Sequence, residues 1–188
     1  MINKEQAARR LIHAAIRNIA REEDPVANHV LVMACGDLLR EYCEAKGLTH
    51  GFEISAYLAP DRRREIIKDY IKKGYYFLKH ARLDSDDMYD ETNLAEVNKA
   101  MTLINCLTFQ SVFGQLTRHM ALLLVFEQIE HPQLLTEQGR KMVLATPVAM
   151  TLAQMSLNER RASFADSFNL LPELRVEKIK DGAVATET

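Results

Sequence analysis

Only seven glycines and five prolines punctuate the 188 residues of this chain. Together they are about half the usual share of roughly 12%. A β-sandwich or barrel needs a turn about every 8–12 residues, so folds of that kind are excluded. Helices need far fewer breaks. The 47% apolar content and the length suit one domain able to bury a large core. The sequence therefore predicts an all-α fold: a single helical bundle of about six to eight helices over residues 1–171, with 172–188 a C-terminal tail, partly disordered.

Local signals place the helices. Asn3 and Gln6 have capping-box spacing, and Ala8, Leu11, Ile12, Ala15 and Ile19 follow at helical period, with Arg9, Arg10, His13, Arg17 and Arg21 on the solvated side. Asp24-Pro25 opens a second helix, an acidic N-cap followed by proline where a missing N–H costs nothing; Gly47 stops it after Lys46. From Val26 to Leu39 this helix is apolar almost all round, which predicts a central position. Pro60-Asp61 opens a third helix whose apolar face contains Gly74, and glycine there predicts close helix–helix approach. Residues 92–129 hold two helices or one kinked helix, with a joint near 108–114. Leu94, Val97, Met101 and Ile104 keep helical spacing in the first part, and Val112, Leu116, Met120 and Leu123 in the second. Pro147 should kink or break a helix begun at Thr136, and Ser156-x-x-Glu159 is a second capping box.

Composition narrows the function classes. Cys35, Cys43 and Cys106 form no disulfide framework and lie in apolar stretches, which fits a reduced, cytoplasmic setting. The N-terminus lacks the apolar region of a signal peptide. The longest apolar run, Met120 to Phe126, is far short of the ~20 residues that span a bilayer. A net charge of -2 gives no global field for nucleic acid or membrane, and Arg62-Arg63-Arg64 is followed by Glu65.

Chemical motifs are sparse. No histidine has a glutamate three residues before it, and zinc, nucleophile-elbow and phosphate-loop patterns are missing. The acidic turn Asp84, Asp86, Asp87, Asp90 lacks the glycine and glutamate of a calcium loop. Catalytic residues, metal ligands and cofactors are therefore not expected. Two constellations stand out. His29, one turn from Pro25, Val26, Val32 and Met33, should be at least partly buried and in need of a partner. Asp37 lies on nearly the same face, about 12 Å along the axis. This is either a core histidine plus a surface Asp37–Arg40 or Asp37–Glu41 edge, or a ligand-contacting pair. Asp69, Lys73, Tyr76 and His80 form a polar stripe on the third helix, read either as helix-end electrostatics or, for the last three, as a pocket mouth. His13, His119 and His131 are expected at solvated or helix-end positions.

Residues 14–42 (AAIRNIAREEDPVANHVLVMACGDLLREY) and 75–89 (YYFLKHARLDSDDMY) resemble a group of uncharacterised bacterial helical proteins. Those carry an Asp-Pro-Val-Ala-x-His helix start and an Asn-Phe-x-Lys-His-Ala segment; here Tyr76 replaces the asparagine. The resemblance implies an all-helical fold and carries no activity over. The layout is also similar in outline to HEPN domains, which include RNA-cleaving toxins with an Arg-x(4–6)-His motif. None of the six histidines has an arginine at that distance; Lys73-x6-His80 is nearest, and lysine gives no bidentate phosphate contact. RNA cleavage is disfavoured.

The leading expectation is a non-enzymatic binding or interaction module that self-associates as a homo-oligomer. The alternative is a small-ligand-binding protein or hydrolase with His29, Asp37, Lys73, Tyr76 and His80 around one pocket. A degenerate HEPN-like nucleotide or RNA binder is the weaker third.

Overall fold

A computed structural model of the chain describes residues 1–48, 72–80, 86, 88–131, 137 and 147–170. Among these residues it is all-α, with seven helices and no strand, as the scarcity of turn residues predicts. The helices are α1 (Lys4–Ala20), α2 (Pro25–Lys46), α3 (Lys73–Lys79), α4 (Leu94–Phe113), α5 (Arg118–Glu130), α6 (Pro147–Gln154) and α7 (Leu157–Leu170). They belong to two compact units, Met1–Leu116 and Thr117–Thr188. The expected loop 47–59, the start of the third helix at Pro60, the segment before Pro147 and the 172–188 tail lie wholly or mostly outside the described residues.

In the first unit, α1, α2 and α4 pack on one another, and α3 lies on α2. The helix ends follow the local signals. Asn3 Oδ1 accepts from the Gln6 N–H at 2.8 Å, and Gln6 Oε1 accepts from the Asn3 N–H at 3.1 Å. Asp24 Oδ1 accepts from the N–H groups of Val26 and Ala27 at 2.7 and 3.0 Å. Gly47 ends α2 in the left-handed region at φ 63°, a conformation a side chain would oppose. Gly114, at φ 79°, ends α4 in the same way, so the joint expected near 108–114 falls between Gly114 and Thr117.

Two expectations are corrected here. His13 is buried at 8% exposure. Because α1 packs on both α2 and α4, its buried arc is wider than the apolar stripe and takes in His13 beside Ile12 and Ile16. On α4 the buried face is not the one that apolar periodicity selects. Of the periodic hydrophobes Leu94 is buried but Val97, Met101 and Ile104 are only half-buried, whereas Asn98, Thr102, Asn105, Cys106 and Phe109 are buried. The true contact face is rotated by about a quarter turn, at ~100° per residue.

The reason is hydrogen bonding across the interface. Asn98 Nδ2 donates to the Pro25 carbonyl at 2.8 Å, and Asn105 Nδ2 donates to the Val32 carbonyl at 2.9 Å. Both bonds span the same sequence offset, so α2 and α4 run parallel in one register. Between them the Thr102 hydroxyl donates to the Asn98 carbonyl at 2.7 Å. Gly36 makes room: a Cβ there would sit 3.3 Å from Asn105 Oδ1. Buried polar groups satisfied in this way cost little and fix alignment.

In the second unit α5 packs on α6 and α7. The Phe126 and Phe164 rings stack at 4.5 Å, and Arg160 pairs with Glu130 at 2.8 Å. Thr117 caps α5, accepting from the Met120 N–H. Ser156 and Glu159 form the expected capping box at the start of α7. His119 is at a helix end, as one of the two expected placements has it, but it is 2% exposed rather than at the surface. It lies in the first turn of α5 beside buried Met120 and shares its burial.

Candidate functional site

His29 is the most deeply buried of the five residues singled out from sequence, at 0% exposure. Its Nδ1 lies 2.7 Å from Asn98 Oδ1. Since Asn98 Nδ2 already donates to Pro25, its Oδ1 acts as an acceptor and His29 Nδ1 carries the proton. The other edge of the ring faces α3. A Cβ at Gly74 would stand 3.3 Å from His29 Cδ2, 2.9 Å from Tyr89 Oη and 3.0 Å from Tyr89 Cζ. Glycine is thus the only residue that lets α3, the His29 ring and the Tyr89 phenol meet at one point. The close approach expected at Gly74 is present, and Gly36 makes a second one, against Asn105.

The other four residues are placed differently. Asp37 is half-buried and pairs with Arg40 at 3.4 Å; Arg40 also reaches Glu44 at 3.1 Å. That arrangement is a surface charge cluster two turns from His29. Lys73 and Tyr76 are on the exposed face of α3, opposite the face that carries Gly74 onto α2. The Tyr76 and His80 rings approach to 5.7 Å between centroids, so this pair does come together. Lys73 acts on Asp90, whose carboxyl is held below the usual carboxylate range, first by hydrogen bonds from the Thr92 hydroxyl and N–H and last by the Lys73 charge.

Beside Gly74 lies a cavity of about 190 Å³. Val26 of α2 and Leu94 of α4 form one side, and Gly74, Phe77 and Leu78 of α3 form another. Tyr89 and Glu91, just ahead of α4, complete the lining among the described residues. The Phe77 and Tyr89 rings stack at 5.7 Å with 26° between planes, making one continuous aromatic wall. Burial raises the Tyr89 phenol above its ordinary value, and the charges of Asp90 and Glu91 raise it further. None of the five sequence candidates lines this cavity among its described walls; His29 sits one layer behind it, across Gly74.

Tyr89 and Glu91 were not visible as candidates. They belong to an acidic turn with no motif, and only Gly74, an unfilled position in an apolar face, hinted that another group would enter there. Among the described residues, no group of three or more His, Cys, Asp or Glu could hold a metal ion. The three thiols are buried; burial pushes Cys35 up to about 12, and Cys106 is raised for the same reason. Thiols in that state are poor nucleophiles. No helix among the described residues is long and apolar enough to cross a membrane. Compared with known proteins, the chain matches no family model, no curated relative and no solved structure.

Proposed function

We propose that this chain is a non-enzymatic binding module whose recognition site is the cavity lined by α2, α3 and the residues leading into α4. The observation that carries this reading is the cavity itself: apolar and aromatic walls with a phenol and a carboxylate as its polar groups. Its size narrows the occupant. Cofactor and drug-sized ligands use pockets of about 300–1,000 Å³, whereas an apolar cavity of ~150 Å³ holds a benzene-sized molecule. At about 190 Å³ the site suits one small molecule or one side chain of a partner. Leu78 and Met88, 38% and 92% exposed, supply apolar surface on α3 and just before Tyr89. A second copy of the chain docking there would make the module self-associating.

Methyl-labelled protein titrated with toluene and isobutanol tests the site. The Val26, Leu78 and Leu94 methyl resonances should move while those of Leu157 in the other unit stay fixed. If neither probe moves the three cavity methyls, this is not the recognition site. Sedimentation of the wild type and Leu78→Glu tests self-association separately: the variant should shift any dimer toward monomer.

A further inference from the structure

We propose that the cavity receives a small organic cation, an alkylammonium group presented either by a free amine or by a methylated lysine side chain. This rests on the binding reading above and names the chemistry of its ligand. Three features of the site converge on a positive charge carried by an apolar body. The first is the wall. Phe77 and Tyr89 adjoin to line one side, and aromatic faces attract cations that shed their water easily. The second is charge. Glu91 is the charged member of the described lining, and Asp90 stands next to it. Asp90 is locked by the Thr92 N–H at 3.0 Å, and its hydrogen bonds keep it ionised at neutral pH. An anion would be repelled here, and a neutral apolar group would leave the Glu91 carboxylate without a role. The third is reach: Asp90 and Glu91 both act on the Tyr89 phenol, so their negative field extends along the aromatic wall. Lys73, which acts on Asp90, offsets part of this field, but it is absent from the described lining, where Glu91 is the charged group. Size is consistent as well, since a trimethylammonium head is smaller than the benzene that ~150 Å³ accommodates.

Calorimetric titration of the full chain with choline and with dimethylbutanol, its uncharged carbon isostere, isolates the charge. A cation over an aromatic wall beside an exposed carboxylate should bind about tenfold tighter than the isostere. Glu91→Gln should cut that preference to about threefold. Glu96→Gln, which removes an exposed carboxylate paired with Lys99, should leave the preference intact. A peptide bearing trimethyllysine, run against the same peptide unmodified, separates the two sources. Tighter binding of the methylated peptide than of choline assigns a protein partner, and the reverse order assigns a free amine. Equal affinity for choline and its isostere overturns the cation proposal while leaving the cavity as a binding site. Failure of choline to bind a protein whose cavity methyls respond to toluene overturns it too.

Discussion

A methyl group added at Gly74 should destabilise the first unit, although alanine is the better helix former. The new Cβ would lie 2.9 Å from Tyr89 Oη and 3.0 Å from Tyr89 Cζ, where ordinary contacts are 3.4–4 Å. Something must yield by about half an ångström, judged against the usual carbon contact of ~3.5 Å. Neither neighbour moves freely. The Tyr89 ring is stacked on Phe77, and the His29 ring is held at 2.7 Å from Asn98. Overpacking of this kind costs about 1–3 kcal/mol. Relief of glycine's helix penalty returns about 1 kcal/mol, so Gly74→Ala should lose roughly 1 kcal/mol net. With a urea slope of about 2 kcal/mol/M, the midpoint falls by about 0.5 M. The cycle with Tyr89→Ala isolates the cause. In that background the methyl has room, and Gly74→Ala should become neutral or stabilising, a coupling of about 1–2 kcal/mol. A midpoint for Gly74→Ala at or above wild type would falsify the close-approach account. Equal effects in both backgrounds would exclude Tyr89 as the obstacle.

Other outcomes follow from the same structure. Asn98→Leu removes the acceptor for His29 and the donor to Pro25 in one change and should cost about 2–3 kcal/mol by urea unfolding. Asp24→Ala strips two amide partners from the start of α2 and should cost about 1 kcal/mol, seen as a lowered Tm. Iodoacetamide at mildly alkaline pH should leave Cys35 and Cys106 unlabelled in the folded chain and label both in urea; rapid labelling of native protein would contradict their burial. Glu159 is held below the ordinary glutamate value, mainly by the Ser156 hydroxyl and then by its N–H. Its contribution to the α7 cap is therefore present above the unfolded-state value and is lost as pH falls through the lowered one. The protection factor of amides at the start of α7, corrected for the intrinsic pH dependence of exchange, should fall on acidification, and Ser156→Ala, which keeps the backbone N–H, should weaken that dependence.

What could be read from the sequence was local. Asn3 with Gln6, Asp24 with Pro25, Gly47, and Ser156 with Glu159 mark helix ends because a cap is made by residues within one turn of each other. The seam between α2 and α4 was hidden, because the donors and acceptors that define it are some seventy residues apart and apolar periodicity scores only hydrophobes. The available signal was polar: Asn98, Thr102 and Asn105 recur at helical spacing on one face of the helix. The candidate site was legible in part. The need of His29 for a partner was readable from its apolar neighbours, but the identity of that partner was not. The spacing of Asp37 from His29 suggested a shared face, yet Arg40, one turn on, holds Asp37 in a surface cluster. The cavity escaped notice because its walls come from three separated segments and its polar groups belong to a turn without a motif.

The paired amides of α4 also determine which parts of the binding site can adapt. Asn98 and Asn105 grip α2 at two points, two turns apart, so α2 cannot slide along α4 without breaking both grips at once. Each unmatched buried amide would cost about 1–3 kcal/mol. Val26 adjoins the first grip point, and Leu94 lies one turn before Asn98. The span between these two cavity residues is therefore clamped like the fixed jaw of a vice. Whatever adjustment the site makes to an occupant has to come from the opposite jaw, α3 and the Tyr89–Glu91 segment, whose closest approach is set by the one position that carries no side chain.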